Sequence, residues 1–196
     1  MEGEQEAGLF ARAASGETEA FRKIFETHHT AMFRFAYRLT GVVDATEDIT
    51  QECFLRLMQR PTFDHERGSL RQYLYLYGIV RNLVRQRLQA NGREVAWDDN
   101  VEDDPKSAVA ACPDPMASAE LSAVVQSAIS ALPPLQREAI VLCEFEELSL
   151  DEAAVVVRSD VGTVKSRLHR AREGLRRSLA PYRSHIRMPL PKGTTL

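Results

Sequence analysis

Between Ala20 and Leu39 the apolar residues fall at Phe21, Ile24, Phe25, Met32, Phe35, Ala36 and Leu39. A stripe at three- and four-residue steps predicts an amphipathic helix, and Gly41 is a natural stop for it. A second helix fits Ala45 to Gln59, with Ile49, Cys53, Phe54, Leu57 and Met58 turned inward. Asp44 is placed to cap it, and Glu47 and Asp48 suit its first turn. Pro61 ends it, and PTFDHERGS reads as a loop. LRQYLYLYGIVRNLVRQRLQ is apolar around much of its circumference and then turns basic. It predicts a helix buried in its first half and exposed in its second, closed by Gly92.

The pattern then lapses. Residues 94–115 hold few large apolar side chains, a run of acids, and Pro105, Pro113 and Pro115. Such a segment cannot bury enough apolar surface to order itself, and it reads as a flexible linker. Periodicity resumes near Met116, with Leu121, Val124, Val125, Ala128, Ile129 and Leu132. LPPLQREAIVLCEF predicts a further helix, opened by Pro133 and Pro134. SLDEAAVVVR predicts another, since Ser149 and Glu152 have the capping-box spacing. VGTVKSRLHRAREGLRRSL is the last. AVVVR is β-branched, but the flanking cap favours a buried helix over a strand. The expected fold is all-α: two helical domains joined by a flexible acidic linker, the C-terminal one containing a helix-turn-helix. The expected divisions are an acidic extension over 1–19, a domain over 20–93, the linker 94–115, a domain over 116–181 and a tail over 182–196.

Charge sharpens this picture. The formal net charge of −3 over 196 residues conceals two basic blocks, Arg81 to Arg93 and Lys165 to Arg187, separated by the acidic linker. Two separate anion-binding surfaces, or two solvated helix faces, would account for it. No apolar run is long enough to span a membrane. The acidic start, MEGEQEAGLF, is unlike a signal peptide, and a cytoplasmic protein is expected. Cys53, Cys112 and Cys143 are scattered and odd in number, with no metal or disulfide spacing, so no cofactor or metal is expected.

The helix after RSDVG carries the most chemistry. Val161, Val164, Leu168, Leu175 and Leu179 recur at three- and four-residue steps and should face a core. The opposite side then presents Lys165, Ser166, His169 and Arg170, with Arg167 and Arg172 on the flanks. Following a capped helix at this distance, it has the layout of a helix-turn-helix. Lys and Arg can donate to guanine O6 and N7 in the major groove, and flanking cations can hold phosphates. The helix opening, near Thr163, offers backbone N–H groups to a phosphate. The same surface also fits a basic helix packed on an acidic partner.

LPPLQREAIVLCEFEELSLDEAAVVVRSDVGTVKSRLHRAREGLRR resembles the C-terminal DNA-binding domain of bacterial sigma factors of the extracytoplasmic-function (ECF) group, within the sigma-70 family. DATEDITQECFLRLM, with FDHERGSLR and GIVRNLVRQRL, resembles their N-terminal domain. The resemblance runs from Ala20 to Leu179 apart from the linker. The turn departs from it: Arg158, Ser159 and Asp160 stand where the family usually has a Gly-hydrophobic-Pro sequence. A left-handed Arg158 would cost about 1 kcal/mol, which an N-cap at Ser159 or Asp160 would offset. YLYLYG is about two residues longer than the family's run, which turns a helix by roughly 200°.

The resemblance implies a non-enzymatic factor that binds core RNA polymerase and directs promoter-specific initiation, in response to stress or another signal. It implies that Thr163, Lys165, Ser166, Arg167, His169, Arg170 and Arg172 meet the upstream (−35) element. Arg81, Asn82 and Arg85 would meet the melted (−10) element, with the loop Phe63 to Ser69 as a base-pocket wall. Asp48, Gln51 and Glu52, which share one helix face, would meet the polymerase clamp. Its partners are core polymerase and promoter DNA, with room for an anti-sigma factor. For Tyr73, Tyr75 and Tyr77, core packing competes with base stacking. A stand-alone helix-turn-helix regulator fits the last fifty residues but not the N-terminal motifs. An enzyme would need a fixed carboxylate or His cluster, and Asp98, Asp99, Asp103 and Asp104 lie in a linker.

Overall fold

The computed structural model describes residues 8–13, 15–59, 73–90 and 118–182, and among them it contains helices and no strand. The loop Phe63 to Ser69, the linker 94–115 with Cys112, Gly92 and the tail beyond Tyr182 lie outside the described residues.

The first half is built on three helices, α1 (Thr18–Thr40), α2 (Val43–Gln59) and α3 (Tyr73–Ala90). The stripe of α1 buries Ala20, Ile24, Met32, Phe35, Ala36 and Leu39, as the spacing predicts. Phe25, expected inward, lies at the rim of that stripe and is exposed; its ring packs edge-on against Phe54 at 4.9 Å. Gly41 ends α1 at φ 70°, ψ 7°, its N–H on Tyr37 O. This left-handed conformation is cheap only without a Cβ, which here would also stand 3.2 Å from Ser130 Oγ. α2 begins two residues before the expected start, so Asp44 sits in its first turn and is not its cap. Two buried threonines hold the entry. Thr46 donates its hydroxyl to Val42 O at 2.7 Å, and Thr50 donates to Thr46 O at 2.7 Å. Met58 is also a correction: it is half exposed, since Leu57 takes the inward position of that turn. Cys53 is fully buried, and burial pushes its thiol up to about 12, so it is an inert core residue.

Ahead of α1, residues 8–13 are helical. Phe10 is fully buried and its ring lies 5.9 Å from that of His28. The expected 1–19 extension is therefore not a tail throughout: part of it completes the core of the first half.

The second half contains α4 (Ser118–Ala131), α5 (Pro134–Ile140), α6 (Leu150–Val157) and α7 (Val161–Ser178). Pro134 opens α5, where its missing N–H is no loss. One helix was expected through Phe145, but Val141–Phe145 is wound as a π-turn, which closes with Glu146 N–H on Val141 O. Ser149 and Glu152 form the full capping box. Arg158 ends α6 at φ 54°, ψ 50°, the left-handed region. It therefore pays the conformational penalty that the family's usual Gly avoids. Arg158→Gly is expected to stabilise the protein by about 0.5–1 kcal/mol, the relief at φ > 0 exceeding the entropy a Gly adds to the unfolded chain. Thermal denaturation followed by circular dichroism checks it, with a lower melting temperature as the opposing result.

The halves do not stand apart. One apolar core runs through both, from Phe35, Leu76 and Val80 in the first to Val141, Leu142, Ala153 and Val164 in the second. The two helical units pack on each other through this shared core.

Candidate nucleic-acid interface

Asp160 starts α7. Its carboxylate accepts the Thr163 hydroxyl at 2.6 Å and the Thr163 N–H at 2.8 Å, and these bonds hold it below the usual carboxylate range. Both donors of Thr163 are thus engaged in the cap, including the amide expected to be open to a phosphate. Val164, Leu168 and Ala171 seat α7 on the core. Val161, expected to join them, is exposed at the first position of the helix. Ala171 takes its place in the stripe; its spacing of three from Leu168 was the available signal. Gly174 permits close approach, since a Cβ there would stand 2.7 Å from Leu132 Cδ2.

Away from this seam, Lys165, Ser166, His169 and Arg170 are all exposed and share one side of the helix. His169 Nε2 lies 3.8 Å from Glu173 Oε1. Arg167 is half-buried on one flank. Arg172 is exposed on the other and donates from Nε to Glu144 Oε1 at 2.9 Å. That bond ties α7 to the π-turn and leaves the guanidinium at the rim.

On α3 the three candidate strand contacts are placed differently from one another. Asn82 and Arg85 are half-buried and share a face. Arg81 is buried and donates from Nε to Glu138 Oε2 of α5 at 2.8 Å. Tyr77 is buried, packs edge-on against Phe35 at 4.9 Å, and donates its hydroxyl to Glu146 at 2.9 Å. Tyr73 packs against Tyr77 and His28. Core packing therefore accounts for both rings in this arrangement.

On α2, Asp48 and Gln51 are exposed and Glu52 is half-buried, on one face. Asp48 accepts from Arg87 at 2.9 Å and Glu52 from Arg56 at 2.8 Å. Leu55 and Met58 continue the same line of the helix and are exposed. This apolar extension is visible in the spacing, a step of four from Gln51 to Leu55 and of three from Leu55 to Met58.

Residues 24–94 match the family model of sigma-70 region 2, and residues 122–175 that of sigma-70 region 4. The ECF RNA polymerase sigma factor SigW of Bacillus subtilis is 34% identical over 173 residues, covering 84% of this chain and 91% of SigW. The chain belongs to the ECF group of sigma-70-family RNA polymerase sigma factors. SigE of Mycolicibacterium smegmatis is 33% identical over 165 residues; the match covers 83% of this sigma factor but 62% of SigE. Among solved structures, the sigma factor CnrH in complex with the cytosolic domain of CnrY aligns with a TM-score of 0.67, at 26% identity, over 90% of this chain and 97% of CnrH. The sigma factor RpoE of Bartonella quintana, in complex with the anti-sigma factor NepR, aligns with a TM-score of 0.64 at 29% identity, over 83% of this chain and 98% of RpoE. The two family matches contain every candidate residue on α2, α3 and α7. Among the described residues, no helix of this sigma factor is long and apolar enough to cross a membrane.

Proposed function

We propose that this sigma factor, bound to core RNA polymerase, selects promoters through two surfaces. α7 reads the upstream (−35) duplex with Lys165, Ser166, His169 and Arg170, while Arg167 and Arg172 hold phosphates and Thr163, capped by Asp160, fixes the start of the helix beside them. Asn82, Arg85 and, once uncovered, Arg81 hold the melted (−10) strand. Asp48, Gln51 and Glu52 dock on the clamp, with Leu55 and Met58 supplying apolar area beside them. The carrying observation is the α7 face. Four exposed side chains able to donate hydrogen bonds lie opposite a seam of Val164, Leu168 and Ala171 that fixes their direction. A rigid helix presenting such a face fits a major groove.

The protein acts without catalysis of its own, needs no cofactor and works in the cytoplasm. An anti-sigma factor is a further partner, supported by the two aligned sigma factors having been solved with CnrY and NepR. A stand-alone regulator would shift promoter duplex without polymerase, whereas this reading requires core enzyme for promoter-specific transcripts.

The clamp assignment is tested by Asp48→Arg and by Gln51→Ala with Glu52→Ala. Both should weaken retention on immobilised core polymerase while the circular-dichroism melt stays near wild type, because these positions carry little burial. A folded variant retained as strongly as wild type removes α2 from the docking surface.

A further inference from the structure

Arg158 stands at the junction between α6 and α7, in a backbone conformation that disfavours an arginine. α6 ends on it at φ 54°, ψ 50°. Two backbone bonds fix this closure, Arg158 N–H on Val155 O at 3.3 Å and Ser159 N–H on Ala154 O at 3.1 Å. It is a Schellman-type end, whose left-handed position Gly or Asn fills with little strain. Strain of this kind gathers at functional sites, where the side chain is needed for another reason. The Arg158 side chain is exposed, and among the described residues no hydrogen bond or ion pair holds its guanidinium. Arg172, by contrast, is tied to Glu144. Asp160, Val161 and Gly162, which complete the junction, are exposed as well. The junction lacks its other means of holding an anion, because the amide and hydroxyl of Thr163 are both donated to Asp160. Those bonds favour the ionised carboxylate, so α7 opens on a fixed negative charge. A phosphate passing there is repelled by Asp160 and needs a cation to offset it. Arg158 is the cation two residues before it.

We propose that Arg158 anchors this sigma factor on duplex DNA: its guanidinium holds a phosphate at the edge of the upstream element, in place of the helix-end amide that Asp160 closes. The proposal rests on the reading of α7 as the −35 helix. In a helix-turn-helix the first helix crosses the DNA backbone, while the opening residues of the second meet base edges. The junction between them therefore stands over the groove wall, where the phosphates run. A guanidinium matches two phosphate oxygens with its planar fork, and such a contact fixes register without reading sequence. Lys165 and His169, one and two turns into α7, are left to the groove floor. Stability and binding then pull in opposite directions at this residue. Arg158→Gly, expected to stabilise the fold, also removes the guanidinium and should weaken promoter binding. A gain in stability with a loss of binding marks a residue retained for its side chain.

The test uses holoenzyme assembled from the full chain and core polymerase, with a duplex promoter that the wild type selects from a library randomised in the upstream element. Each upstream phosphate is replaced in turn by an uncharged methylphosphonate, and the binding midpoint is read by anisotropy. Arg158→Asn is the main variant, because Asn adopts the left-handed conformation readily and carries no charge. With wild type, one flanking position should weaken binding by about tenfold, the scale of a charge-assisted hydrogen bond. With Arg158→Asn that position should fall silent while the other phosphates keep their effects. On unmodified DNA the variant should bind about tenfold more weakly, and its log affinity should fall with log salt by a slope about 0.9 shallower, the share of one phosphate. Arg158→Lys should restore the salt slope, since it keeps the charge. Melts of the Asn and Gly variants at or above wild type separate lost binding from lost folding. If no position falls silent in Arg158→Asn, or its salt slope matches wild type, Arg158 holds no phosphate and the proposal fails. Arg167→Ala shows how far that failure reaches. If it silences a position of its own while Arg158→Asn silences none, only the Arg158 assignment falls. If neither variant silences any position, α7 is not on the upstream duplex, and the reading beneath the proposal falls with it.

Discussion

Leu168→Ala is expected to unfold the second half of this sigma factor at temperatures where the wild type is intact. Leu168 is 5% exposed and sits in the middle of the seam between Val164 and Ala171 that holds α7 against α5 and α6. Removing a buried leucine loses its transfer free energy and leaves a cavity, together about 2–5 kcal/mol. A single domain has roughly 5–15 kcal/mol in all, so the loss is a large fraction. Denaturant titration by circular dichroism should show an earlier midpoint, and −35 binding should fail as a consequence. Val161→Ala is the control. It removes an apolar side chain of the same helix from an exposed position, and its effect should stay within about 0.5 kcal/mol. Equal effects of the two changes would mean that α7 is not anchored through this seam.

The second large effect concerns sequence preference. Lys165→Ala, Ser166→Ala, His169→Ala and Arg170→Ala should change which upstream bases are preferred, and each lost bidentate base contact should cost roughly 1–3 kcal/mol. Arg167→Ala and Arg172→Ala should weaken binding alike on all sequences and flatten its salt dependence, since each phosphate contact releases counterions. Arg172 carries an added consequence, because its bond to Glu144 ties α7 to the π-turn. The measurement is transcription by holoenzyme carrying each variant, from a promoter library randomised in the upstream element. A uniform fall in activity for all six variants would show a helix that grips DNA without reading it.

Much of this architecture was legible in the chain, for local reasons. α1 announced itself by a stripe from Ala20 to Leu39 and a Gly stop, and α6 by a Ser149–Glu152 box, since caps and periodicity involve residues within one or two turns. Asp160 as the cap of α7 and the strained Arg158 before it follow from the same short-range chemistry. Errors gathered where position within the fold decides burial. Met58 and Val161 have the right spacing for a core but sit at the edges of their helices. Phe10 lies in an acidic segment with no periodicity, and only the folded core beside His28 of α1 gives it a place to bury. The wide turn at Val141–Phe145 has no marker in VLCEF, since nothing in those side chains favours five-residue over four-residue closure.

The sequence by itself determined the helices, their order, the basic face of α7 and the membership in the ECF sigma group, because each is written in residues a few positions apart. Only the tertiary structure decided that Arg81 lies on Glu138, Tyr77 on Glu146, and Arg137 and Gln126 on the end of α1. These partners are 57, 69, 98 and 89 positions apart. No periodicity or cap links residues so distant. Their pairing depends on how two helical units dock, where burying a charge is tolerable only if the other unit brings its counter-charge to the same spot.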